Sequence, residues 1–130
     1  MSKVEKEEKI DLSFEIALLE GIYRRDKDDA RIVEALATLY TEAGLYDKGL
    51  ALDRHHVALE PRNPTSHYNF ACSLCLTGEM TEAFKELELS LRLGFDSLDW
   101  MQKDPDLEAA RADPRWRKLV SEHGIQPADE

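Results

Sequence analysis

Two cysteines, Cys72 and Cys75, stand three apart in the stretch FACSLCLTGEM. That spacing serves two chemistries, one half of a tetrahedral zinc site or a dithiol that cycles through a disulfide. A second group, Asp53, His56 and His67, offers two imidazoles and a carboxylate. These are donors for a metal, or for a contact that changes as histidine takes a proton. Asp53 and His56 share a helix face at a separation of three. Zinc needs four donors, and neither group supplies a complete set: there is no second Cys-x-x-Cys, and the trio has no clear fourth ligand. No metal is assigned. The trio is expected to be a half-buried, hydrogen-bonded cluster in place of apolar packing, with His55 facing solvent. There is no glycine-rich phosphate loop, Gly-x-Ser-x-Gly elbow or His-Glu-x-x-His. The many carboxylates are scattered as on solvated helix faces. The expectation is a non-enzymatic protein with no catalytic residue and no cofactor.

The whole chain has 130 residues, 34% of them charged and 42% apolar, which suits one soluble folded domain. Its formal net charge of −10 repels phosphate backbones and anionic lipid, so nucleic acid and membrane are excluded as partners. Two cysteines are too few for a secreted disulfide scaffold. The opening MSKVEKEEKIDLSF lacks the apolar run of a signal peptide, and no stretch reaches membrane-spanning length. A cytoplasmic protein is expected.

The elements that would position these residues emerge from a period of 34. EALATLYTEAGLYDKGLALDRHHVALEP aligns without a gap on YNFACSLCLTGEMTEAFKELELSLRLGF at that offset. Leu36 falls on Phe70, Ala37 on Ala71, Tyr40 on Leu74, Gly44 on Gly78, Gly49 on Ala83, Leu50 on Phe84 and Leu59 on Leu93. Apolar residues recur at three- and four-residue steps on both sides of each glycine, so each unit is two amphipathic helices. Gly44 and Gly78 suit the left-handed residue that ends a helix. Small residues mark close helix approach, and Pro61 and Pro64 stop the second helix of the first unit.

These residues resemble the tetratricopeptide repeat, a 34-residue helix-turn-helix with this order of large, small, glycine and small positions. The resemblance covers about residues 30–93 and implies an all-α fold, a short α-solenoid. The expected organisation is an N-terminal tail over 1–9 and a single domain over 10–124. Within it lie a cap or half repeat (10–28), repeats at 29–62 and 63–96, a helical cap at 97–124 and then a tail over 125–130. In the first segment Leu19 and Ile22 are expected to pack, and Asp28 or Asp29 to cap the next helix. The closing segment, DSLDWMQKDPDLEAARADPRWRKLVSEHG, is similar to the end of many bacterial proteins of this family. Asp96, Asp104 and Asp113 are expected to cap short helices, and Trp100, Leu107, Trp116 and Leu119 to cover the stack.

In that family the first helices line a concave groove that takes the ligand. Carried onto this sequence, the groove positions are Arg31, Glu34, Thr38, Thr41, Glu42, Thr65, Tyr68, Asn69, Cys72, Cys75 and Leu76. They alternate with the packing residues and share an outward face. The resemblance thus implies a protein or peptide partner bound by an adaptor or chaperone-like module. A C-terminal carboxylate of the kind some relatives grip is disfavoured by Glu34, although Asn69 matches one of their asparagines. The cysteine pair falls mid-helix, without the dipole that activates redox pairs, and is expected to be exposed contact surface. A thiol or metal sensor at Cys72 and Cys75 is the alternative, and a self-associating scaffold a further one. The oligomeric expectation is a monomer or weak homo-oligomer.

Overall fold

The computed structural model describes residues 11–125. Five helices come first: α1 (Ser13–Arg25), α2 (Ala30–Glu42), α3 (Tyr46–Leu59), α4 (Pro64–Leu76) and α5 (Met80–Arg92). Shorter pieces follow: α6 (Leu98–Met101), a 3-10 turn (Pro105–Leu107), α7 (Glu108–Arg111) and α8 (Arg115–Glu122). Each long helix packs on its sequence neighbour, giving an all-α short solenoid.

The period of 34 is visible in the backbone. Gly44 and Gly78 have φ of 79° and 82°. At both, the next residue donates back five positions, Leu45 to the carbonyl of Tyr40 and Glu79 to that of Leu74, each at 2.8 Å. The left-handed residue turns the chain sharply while satisfying carbonyls that the ending helix leaves free. Starts are repeated too. Asp29 caps α2 and Asn63 caps α4, each accepting from the backbone N–H two residues on. Helix pairs close on small residues: Ala37, Ala71 and Ala83 are at most 1% exposed. At Gly49 an added Cβ would lie 2.7 Å from Oγ1 of Thr41, so α2 and α3 meet there without room for a methyl group.

The core is in three parts. Val33, Leu36, Ala37, Tyr40 and Leu52 form the first, against Ile16, Leu19 and Tyr23 of α1. Leu19 packs as expected, whereas Ile22 faces outward, 40% exposed. Phe70, Leu74 and Ala83 join the two repeats. The largest part unites α4 and α5 with the closing segment through Met101, Leu107, Ala110, Leu119 and Ile125. Leu107 and Leu119 take the covering role expected of them and Trp116 is partly buried, but Trp100 is 52% exposed and Met101 fills the core in its place. Asp104 and Asp113 accept from the backbone N–H of Asp106 and Arg115 as capping residues do. Asp96 caps nothing, since α6 has Ser97 at its N-cap and no side-chain cap bond. Residues of the expected tails lie outside the described residues, except Ile125, which is buried; the core reaches one residue past the expected boundary.

Candidate functional site

The closing segment does more than cover the end of the stack, because it folds into the concave side of α4. Tyr68 stacks on Phe95 with ring centroids 4.1 Å apart and 7° between planes. Its hydroxyl donates to Oδ2 of Asp104 at 2.6 Å, and the Cys72 thiol donates to the same oxygen at 3.7 Å. Arg111 holds the segment in shape by donating to the carbonyls of Met101 and Asp104. His123 meets Glu88 of α5 at 2.6 Å, and Arg115 reaches Thr81 at 3.0 Å. Tyr68, Cys72 and Cys75 are therefore buried, at 4%, 6% and 5% exposure. The expected exposed apolar half of the groove does not exist: the protein's own cap occupies it.

Burial raises both thiols above their ordinary pKa, and for Cys72 the carboxylates of Asp104 and Asp106 add to the effect. A neutral, covered thiol is a poor redox nucleophile. Ligand atoms of Cys72, Asp104 and Asp106 lie within 4.8 Å of one another. Asp104, however, already accepts from Tyr68, Cys72 and the Asp106 amide. Its hydrogen bonds organise the cap.

What stays open is a groove in two adjoining parts that share Thr38 and Asn69. The outer part is a shallow depression lined by Leu19, Arg31, Glu34, Ala35, Thr38, Leu39, Thr65 and Asn69. The inner part is a cavity of about 210 Å³ where α2, α3 and α4 meet the cap. Thr41, Glu42 and Asn69 line it beside the buried flanks of Tyr68 and Cys72. Nine of the eleven expected groove residues thus line this surface, while Cys75 and Leu76 do not. Residues absent from the expectation complete the inner wall: Asp53, Ser73, Trp100, Asp104 and Asp106. Of these, Asp104 carries a capping signal in the sequence, Trp100 a covering one and Asp53 that of the trio with His56 and His67, whereas Ser73 and Asp106 carry none.

The inner cavity is acidic. Asp53, Asp104, Asp106 and Glu42 line it, Glu34 lies nearby, and no lysine or arginine is among the lining residues. Asp53 is 4% exposed and accepts one hydrogen bond, from Ser73. Burial pushes its pKa up to about 7, opposed by the Ser73 bond and reinforced by Glu34 and Asp106. Asp106 is raised by burial and then by Asp104 and Glu42. Carboxylates that disfavour one another's charge at the wall of one cavity are relieved by a cation placed among them.

The expected trio is dispersed. Asp53 pairs with Ser73, while His56 meets Oε1 of Glu60 at 2.7 Å. His67 sits between Oε1 of Glu86 at 2.6 Å and the carbonyl of Pro61 at 2.7 Å. Asp53 and His56 lie on α3 and His67 on α4, and each side chain is taken up by a different partner. Nδ1 of His56 is buried without a partner among the described residues. His55, partly exposed, meets the carbonyl of Lys27 and Asp28.

No family model matches the chain, and no curated protein matches it. No helix among the described residues is long and apolar enough to cross a membrane. The protein is an all-α helical solenoid with an acidic groove.

Proposed function

We propose that the chain is a non-enzymatic interaction module, built like the tetratricopeptide repeats it resembles, that binds a short protein segment in the groove of α2 and α4. The ligand carries a lysine or arginine side chain seated in the inner cavity. The observation behind this reading is the convergence of Asp53, Asp104, Asp106 and Glu42 on an open cavity with no basic residue in its lining. Trp100 at the rim offers an exposed ring to the same cation. The outer part, with Arg31, Glu34, Thr65 and Asn69, supplies hydrogen-bonding groups for the flanking backbone. A groove this short gives modest affinity, in keeping with a cytoplasmic adaptor or chaperone-like role. The burial and raised thiol pKa of Cys72 and Cys75 weigh against the sensor alternative.

The test is a panel of short peptides that differ only in charge, followed by the fluorescence of the two tryptophans. Lysine- or arginine-containing peptides are expected to bind, and their acidic counterparts not. Glu42→Gln/Asp106→Asn should weaken binding several-fold, and added salt should weaken it further. Binding that is indifferent to peptide charge, or to both substitutions, refutes the acidic groove as the site.

A further inference from the structure

At the other end of the solenoid α1 is the outermost of the described helices, and its outer face is apolar. Phe14, Leu18 and Ile22 of α1 are 75%, 56% and 40% exposed. Spaced four apart, they form one stripe, opposite the Ile16, Leu19 and Tyr23 face that packs on the core. Apolar stripes of this kind mark contact surfaces. We propose that this face pairs with the same face of a second copy, the two α1 helices running antiparallel about a two-fold axis at Leu18.

Three observations select this occupant. The first is charge. Asp11, two residues before α1, and Arg25, its last residue, lie seven positions to either side of Leu18 and so bracket the stripe with opposite charges. In an antiparallel pair centred on Leu18, Asp11 of each copy meets Arg25 of the other, and Phe14 meets Ile22. Arg24 and Arg25 are both exposed, and neither has an ion pair among the described residues. The second is balance. The chain carries −10 overall, which keeps copies apart, but this face offers Asp11 and Glu15 against Arg24 and Arg25. The third is Gly21, beside the stripe and in mid-helix, where glycine costs about 1 kcal/mol relative to alanine. Among the described residues a Cβ there would meet only the tip of Arg24, at 3.8 Å, so no contact among them calls for a glycine. Gly21 with Ala17 clears a shallow depression along the stripe, into which a facing side chain fits. A two-fold contact is self-complementary, as this pattern of size and charge is. One helix face per copy falls below the area of a permanent dimer, so the pairing is weak and concentration-dependent.

Sedimentation of the full chain across micromolar to millimolar concentration is the test. The mass of the wild type should rise towards the dimer, and Leu18→Glu, on an exposed position, should lower the association constant at least about tenfold while circular dichroism is unchanged. Asp11→Arg and Arg25→Asp should each weaken self-association, since each sets like charges together. An equimolar mixture of these two variants should associate again, because every facing pair is then opposite in charge. Asp11 also bonds Ser13, and loss of that contact cannot produce the rescue. A wild type that stays monomeric throughout, association unaffected by Leu18→Glu, or a mixture no better than its components would each overturn the proposal.

Discussion

Replacing Asp53 with asparagine tests the electrostatics of the groove directly. The carboxyl is 4% exposed, held by Ser73, and displaced from an ordinary 3.8 to about 7. An acid whose pKa is raised on folding keeps its proton in the folded state where the unfolded chain has lost it. Its contribution therefore works against stability as pH rises from the unfolded value through the folded one. At about 1.4 kcal/mol per tenfold, the displacement from 3.8 to about 7 amounts to about 4 kcal/mol withheld above neutral pH. The cavity beside the carboxyl opens to solvent, whose screening reduces this, so an effect of about 2–4 kcal/mol is expected. Asparagine keeps an oxygen for the Ser73 hydroxyl and removes the charge. Urea unfolding of both proteins across the pH range is the assay. The variant should be nearly equal to wild type near pH 4, gain through neutrality, and level off by about pH 8. A stability difference that does not change with pH, or a variant less stable than wild type at about pH 8, would refute the reasoning. The same substitution should weaken a cationic ligand above neutral pH. In the wild type, binding of that ligand near pH 7 should release a proton, measurable by calorimetry in buffers of different ionisation enthalpy.

Gly49→Ala should destabilise by about 1–3 kcal/mol, because its methyl group meets Oγ1 of Thr41 at 2.7 Å. In a Thr41→Ala background the same change should turn neutral or stabilising, as helix propensity then decides. Both thiols should resist alkylation in the native protein and react at ordinary rates once it is unfolded; rapid stoichiometric labelling of native protein would contradict the burial of Cys72 and Cys75. His56→Leu removes a buried nitrogen without a partner and should gain about 1 kcal/mol in chemical denaturation, with peptide binding unchanged.

The repeat was legible because its determinants are local. Gly44 and Gly78 hold the left-handed angle that ends each first helix, and Asp29 and Asn63 cap as their types require. Ala37, Ala71, Gly49 and Ala83 announce close helix approach by size alone. Helical spacing likewise placed Arg31, Glu34, Thr38, Thr41, Glu42, Thr65 and Asn69 on one face, and they do line the groove. The same rule put Tyr68, Cys72 and Cys75 on that face too, but periodicity says only which way a side chain points. Whether another segment lies over it is a matter of contacts distant in sequence.

The sequence by itself determined the helices, their pairing and the aspect of each face, since these follow from residue type and short spacing. Tertiary structure decided the rest. It closed the apolar half of the groove, when Phe95 stacked on Tyr68 and Asp104 took the Tyr68 hydroxyl across 36 positions of chain. It also sent Asp53, His56 and His67 to separate partners, and it made an acidic cavity from Asp53, Glu42 and two aspartates of the cap. Carboxylates remote in sequence share a site only when folding brings them together. Their charge then depends on burial and on one another, and no short stretch of sequence contains either.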